Sequence, residues 1–191
     1  MGLTSWIRDV PRRDRGFEGK NEHSPQSYLF LVVESPIGPL RLEASSDGIV
    51  ALSWTDLSSP AASGAGAAAE SDRARRFLLS GAAWLNAYFG DCRFRHLPPL
   101  APRGSPFQKA VWHQVAAIAP RTTASYGEIA RGLRMPGASR AVGQAVGANP
   151  LPILIPCHRV LAAGGKLGGY SAGLPRKRWL LAHEGLAVQE G

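Results

Sequence analysis

The chain has 191 residues, 45% hydrophobic and 19% charged, which supports a buried core and excludes a disordered polyelectrolyte. It contains no run of about 18 apolar residues, so no membrane-crossing helix is expected, and two cysteines, Cys92 and Cys157, exclude a disulfide framework. The formal charge of +8 resides in the second half: residues 101–191 carry 11 Lys and Arg against Glu128, Glu184 and Glu190, whereas 11 basic and 11 acidic residues cancel over residues 1–100. That asymmetry favours a polyanionic partner, nucleic acid first, over a generically basic protein.

Residues 1–26 read as a polar tail. Arg8, Asp9, Arg12, Arg13, Asp14 and Arg15 interrupt any apolar core, so no secretory signal is expected, and a reducing, cytoplasmic location follows (nuclear in a eukaryote). Tyr28 to Val33, Leu40 to Ala44 and Ile49 to Leu52 alternate as strands, with turns at Ser35-Pro36-Ile37-Gly38-Pro39 and Asp47-Gly48, predicting a small antiparallel sheet. Residues 58–71, rich in Ala, Ser and Gly, read as a flexible loop. Arg73 to Phe89 has a helical apolar pattern, and four prolines between Leu97 and Pro106 mark a linker. The domains expected are therefore the tail at 1–26, an α/β domain at 27–96, a linker at 97–104 and a second domain at 105–187.

The second half is helical and well punctuated. Ser105-Pro106-Phe107-Gln108 and Ser125-Tyr126-Gly127-Glu128 are capping boxes, opening helices to about Ile118 and to Leu133. After the turn Arg134-Met135-Pro136-Gly137, a helix from Ala138 to Ala148 ends at Asn149-Pro150. Two helices joined by a short glycine-containing turn match a helix-turn-helix, and equally an ordinary helical hairpin. Along the second helix Val142 and Val146 form a core stripe, Ala138, Ala141, Ala145 and Ala148 line another face, and Arg140, Gly143 and Gly147 a third. So bare a helix suits the minor groove, about 6 Å wide, and would equally permit tight packing inside the protein.

The chemistry concentrates at Pro156-Cys157-His158-Arg159-Val160, which follows the apolar run Ile153-Leu154-Ile155, read as a strand, and precedes a glycine-rich stretch. A thiolate needs a base or positive surroundings to form at neutral pH. His158 is adjacent, but neighbours on an extended backbone point to opposite faces, so contact requires a turn or a bridging water. Glu184, near the end of a helix expected from Pro175 to Gly185, is a candidate to orient the imidazole, since a carboxylate opposing the helix dipole there calls for a partner. An inert buried Cys157 and a solvated Glu184 are the bland alternatives. Cys92, His96, Cys157 and His158 lack zinc-ligand spacing, and no metal or cofactor is expected.

Ile155-Pro156-Cys157-His158-Arg159-Val160 resembles the active-site signature of the O6-alkylguanine-DNA alkyltransferases. In order, Phe107-Gln108 with Val111-Trp112, Ser125-Tyr126-Gly127-Glu128-Ile129-Ala130, Ser139-Arg140-Ala141-Val142-Gly143 through Asn149-Pro150, Gly169-Tyr170-Ser171, Lys177 with Trp179-Leu180-Leu181, and His183-Glu184-Gly185 are similar to the family too, as is Ser35-Pro36-Ile37-Gly38-Pro39-Leu40. The resemblance covers essentially all of residues 105–185. It implies an α/β fold class: a ribonuclease H-like α/β domain followed by a mainly helical, winged helix-turn-helix-like domain. It also implies single-turnover repair, in which Cys157 takes the alkyl group from O6-alkylguanine, and less readily O4-alkylthymine, as a permanent thioether.

His158 would be the base through a water, Glu184 its orienting partner, Asn149 a hinge and Tyr126 the residue that helps rotate the nucleotide and protonates the leaving guanine. Arg140 would fill the gap left by the flipped base, with Ala138, Ser139, Ala141 and Gly143 beside it on the DNA. Val160, Tyr170, Ser171 and Lys177 would belong to the base pocket. The implied partner is alkylated double-stranded DNA bound through its minor groove by a monomer. Ala172 stands where many members carry glycine or a bulky residue, and Pro120 to Tyr126 lacks a common glycine. A lesion-binding protein without transfer activity and a cysteine hydrolase are the rival classes.

Overall fold

Leu40, Leu42 and Ala44 are fully buried while Arg41 and Glu43 alternate with them on the other face, the period-2 signature of a half-buried strand. A computed structural model describes residues 28–56, 68–91 and 97–187. That alternating segment is β2 (Leu40–Ser45), the middle strand of an antiparallel sheet with β1 (Leu29–Val33) and β3 (Gly48–Trp54). Leu42 pairs with Leu31 on one side and Leu52 on the other. Helix α1 (Ala68–Asp91) crosses the sheet at Gly81, where a Cβ would come within 2.6 Å of Ile49 and Leu42 side-chain carbons. The helix begins inside the segment expected to be a loop, because residues 68–71 complete its first turn. The remainder of that segment, the 1–26 tail, Cys92 and His96 lie outside the described residues.

Residues 97–101 dock along β3. The Ile49 N–H donates to the Pro99 carbonyl at 2.9 Å and the Ala101 N–H to the Ile49 carbonyl at 2.8 Å. Gly48 permits this approach, since a Cβ there would meet the Pro99 carbonyl oxygen at 2.5 Å.

In the second half, α2 (Pro106–Ala116) and α3 (Tyr126–Gly132) open on complete capping boxes at Ser105 and Ser125, and α4 is Ser139–Gly147. Trp112, 1% exposed, pins α4 against α2 by donating from Nε1 to the Ala145 carbonyl at 2.7 Å. Ala145 is therefore buried with Val142 and Val146, and does not share an outer face with Ala141 and Ala148, which are exposed. Arg121, after α2, takes a left-handed backbone, φ 61°. Short β4 (Ala124–Ser125) and β5 (Val160–Leu161) run parallel, and α5 (Leu174–His183) closes the described chain. The fold is α/β, and no helix among the described residues is long and apolar enough to cross a membrane.

Ile153-Leu154-Ile155 is not a strand. Ile153 has φ 74°, Pro152 and Ile155 make an isolated bridge, and Cys157–Arg159 form a 3-10 turn. The segment spends its hydrogen bonds on itself, through the Ile155 N–H to the Leu151 carbonyl at 2.8 Å and the Cys157 N–H to the Ile155 carbonyl at 2.7 Å. Those backbone groups are therefore withdrawn from any sheet ladder.

Candidate functional site

The β4–β5 pair sets the geometry: Ala124 is opposite Val160 and Ser125 opposite Leu161. β4 runs directly into α3, which Tyr126 opens, and β5 directly follows the 3-10 turn that Cys157 opens, so the parallel pair anchors both functional segments. The Cys157 side chain acts electrostatically on the Tyr126 hydroxyl. Asn149, just past α4, ties that helix to the turn. Its Nδ2 donates to the Ile155 carbonyl at 2.9 Å and its Oδ1 accepts from the Leu151 N–H at 3.0 Å. The first half reaches the neighbouring residue, the Leu52 N–H donating to the Pro150 carbonyl at 2.8 Å.

Residues 151–160 are all buried, Cys157 and His158 among them. Burial pushes the Cys157 thiol up, opposed by Asn149, the Lys177 charge and Tyr170. Burial likewise pushes His158 down, against the pull of Glu184. His158 Nε2 lies 2.8 Å from Glu184 Oε1. An ionised carboxylate only accepts, so Nε2 carries the hydrogen and Nδ1 is left as the accepting nitrogen. That buried Nδ1 has no hydrogen-bond partner within the protein.

Glu184 caps the C-terminus of α5 and is 3% exposed. Burial raises its carboxyl, but the hydrogen bonds and charges of His158 and Arg159 outweigh that and hold it at about 2. Arg159 grips it with two prongs, Nε to Oε2 at 2.7 Å and Nη2 to Oε1 at 2.8 Å, while Nη1 donates to the Ile118 carbonyl at 2.6 Å. Sequence reasoning assigns Arg159 no role, although its place inside the pentapeptide is a signal. Tyr88, which donates to Glu184 Oε1 at 2.9 Å from 96 residues away, offers none.

Lys177 is fully buried, with burial lowering its ammonium to about 8. Its Nζ donates to the Val160 carbonyl at 2.7 Å, to the Leu167 carbonyl and to the Gly169 carbonyl at 3.4 Å, cross-linking the loop that leads to Tyr170. Tyr170 lies edge-on to Trp54 at 6.5 Å, and its buried hydroxyl is pushed up by burial and by the neighbouring Cys157 thiol. Ser171 is exposed beside it. Arg176 staples the loop to the first half, donating to the Ala172 and Ile37 carbonyls at 3.1 Å each.

Cys157, His158, Asn149, Val160, Tyr170 and Lys177 thus form one buried or half-buried centre, with Glu184 behind His158. Tyr126 is half-buried at its border, and burial, then the Cys157 charge, push its hydroxyl up. Its ring lies 3.8 Å from where a Gly143 Cβ would stand. Arg140 and Ala141 are exposed on the outside of α4, with Ala138 and Ser139 half-exposed. Among the described residues no group of three His, Cys, Asp or Glu comes together that could hold a metal. The arrangement sets a buried thiol next in the chain to an imidazole with an unpartnered accepting nitrogen, and within electrostatic reach of the Tyr126 and Tyr170 hydroxyls.

Residues 106–186 match the model of the 6-O-methylguanine DNA methyltransferase DNA-binding domain. The chain is 38% identical over 169 residues to the methylated-DNA–protein-cysteine methyltransferase of Methanosarcina acetivorans, covering 82% of this chain and 97% of that protein. It resembles the crystal structure of Mycobacterium tuberculosis O6-methylguanine methyltransferase with a TM-score of 0.68 at 36% identity, covering 82% of this chain and 92% of that one. The crystal structure of the Mycobacterium tuberculosis protein OGT in complex with DNA matches with a TM-score of 0.67 at 38% identity, covering 82% and 91%.

Proposed function

The chain belongs to the methylated-DNA–protein-cysteine methyltransferase family, and from that premise we propose that Cys157 is the acceptor in the direct repair of alkylated DNA. The protein removes the alkyl group from O6-alkylguanine in DNA, with O4-alkylthymine as the slower substrate. The observation that carries the residue assignment is the accepting Nδ1 of His158, fixed by Glu184 and left without a protein partner.

The roles follow from the chemistry. His158 Nδ1 takes the Cys157 proton through a water, and the thiolate attacks the saturated carbon on O6. The carbon–sulfur bond forms as the carbon–oxygen bond breaks, and the departing guanine regains a proton from Tyr126. Glu184 stabilises the imidazolium without itself being protonated. The thioether is permanent, so each molecule acts once.

The base must leave the stack, which costs a few kcal/mol. The exposed side of α4 is suited to holding it out. Ala138, Ser139, Ala141 and Gly143 allow close approach in the minor groove, and Arg140 fills the vacated position. Val160, Tyr170 and Ser171 line the pocket, and Lys177 holds its loop. Residues 27–96 we read as a ribonuclease H-like domain, 97–104 as its link, and 105–187 as a winged helix-turn-helix-like domain built on α3 and α4. The tail at 1–26 is read as polar. A cytoplasmic monomer is the form proposed.

Incubation with duplex DNA containing O6-methylguanine should add one methyl group to the Cys157 peptide, read by intact-protein mass spectrometry. No mass gain sinks the proposal, and multiple turnover favours a hydrolase.

A further inference from the structure

Glu184 Oε1 accepts three hydrogen bonds: from His158 Nε2 at 2.8 Å, Arg159 Nη2 at 2.8 Å and Tyr88 Oη at 2.9 Å. Two of these donors belong to the pentapeptide. The third comes from α1, in the other half of the chain. Tyr88 is 1% exposed and held from several sides: its ring stacks on Trp84 at 5.4 Å and meets Phe89 edge-on at 5.1 Å. Its backbone carbonyl accepts from His183 Nε2 at 2.7 Å. Tyr88 therefore grips two consecutive residues at the end of α5, one through its carbonyl and one through its hydroxyl.

We propose that Tyr88 is a positioning residue for alkyl transfer, through which the N-terminal half sets the direction and basicity of the carboxylate behind His158. The proposal rests on the reading of His158 as the base. A phenol donates without adding charge. It stabilises the Glu184 carboxylate, and so lowers its affinity for the His158 proton, while leaving charge compensation to Arg159. Without the hydroxyl, Oε1 is a stronger acceptor, the imidazolium is favoured and His158 releases its proton at higher pH. Besides Arg159, the groups facing this pair are the Lys177 ammonium and, through Tyr88 itself, His183. None of them supplies a third donor to Oε1.

Tyr88→Phe keeps the ring packing and removes only the hydroxyl. Single-turnover methyl transfer should slow by about tenfold near neutral pH, and its acid limb should move up by about half a unit. Duplex affinity should stay within about twofold of the parent, because Tyr88 is buried away from the exposed side of α4. His183→Gln in both backgrounds removes the other imidazole, and the displacement should persist. The NMR titration of the His158 ring, which needs no transfer activity, should move in the same direction. An unchanged rate, or a fall equal at every pH with an unmoved His158 titration, overturns the proposal. A parent protein that transfers no methyl group refutes the functional reading instead, and the NMR comparison still decides the role of Tyr88.

Discussion

Arg159 and Glu184 form a side-on, two-pronged ion pair, Nε to Oε2 at 2.7 Å and Nη2 to Oε1 at 2.8 Å, with both side chains almost wholly buried. The carboxylate that orients His158 is therefore also the counter-charge of a buried guanidinium. Breaking such a pair from one side strands a charge in a medium that solvates it poorly. Glu184→Gln should cost about 3–5 kcal/mol of unfolding free energy, read by chemical denaturation. A loss under about 1 kcal/mol would show that the pair carries little net stability. Activity assays on this variant need a matched folded fraction, since stability and transfer fall together.

The same pair predicts an acid response. Glu184 is held at about 2 in the folded protein against an ordinary 4.5. Between these values the unfolded chain binds the extra proton, so folding is favoured by rising pH. The stability from this group is fully present above about pH 4.5 and drains as pH falls toward about 2. The free-energy gap between the parent and Glu184→Gln should narrow across that window, measured by urea unfolding at a series of pH values. A gap that stays constant from about pH 6 to about pH 2.5 contradicts the assignment.

What is legible in the sequence is local. The alternation of Leu40, Leu42 and Ala44 and the capping boxes at Ser105 and Ser125 are decided within a few residues, and they appear as expected. Ile153 to Ile155 misleads because a short apolar run is equally compatible with a buried turn. Here Asn149 and the Leu151 carbonyl claim the polar backbone groups that a strand would offer. Ala145 packs inward with Val142 and Val146, one of the two readings open to its small-residue face. The sequence could not choose between them because the Trp112 indole that bonds its carbonyl lies 33 residues away. Tyr88 is illegible for the same reason: a tyrosine in an apolar helix pattern reads as core, and only the folded chain places its hydroxyl on Glu184.

Gly48 marks where the chain leaves the sheet and returns to it. A Cβ there would stand 2.5 Å from the Pro99 oxygen and 2.9 Å from its carbonyl carbon, backbone atoms of a carbonyl bonded to β3. Gly48→Ala should destabilise by about 2 kcal/mol or more. Gly90, in α1 with nothing within 4 Å of its Cβ position, provides the contrast. Gly90→Ala should be neutral or stabilising by up to about 1 kcal/mol. Equal effects in thermal unfolding would mean that Pro99 yields without cost.

Arg140 stands exposed near the start of α4, and its side chain supports nothing in the core. Arg140→Ala should therefore leave stability within about 0.5 kcal/mol. Its effect should appear only where a base has to be held out of a duplex. Repair of O6-methylguanine in double-stranded DNA should fall by about tenfold or more, whereas reaction with the free methylated base should be nearly unchanged. The comparison separates a wedge from a pocket residue, because a pocket defect reduces both reactions alike. Salt adds an independent reading: a residue that acts chiefly by neutralising a phosphate changes the slope of log affinity against log salt by about one unit, and a wedge leaves it almost unaltered. Equal losses on duplex and free base would remove Arg140 from the role proposed for it and direct attention to the remaining exposed residues of α4.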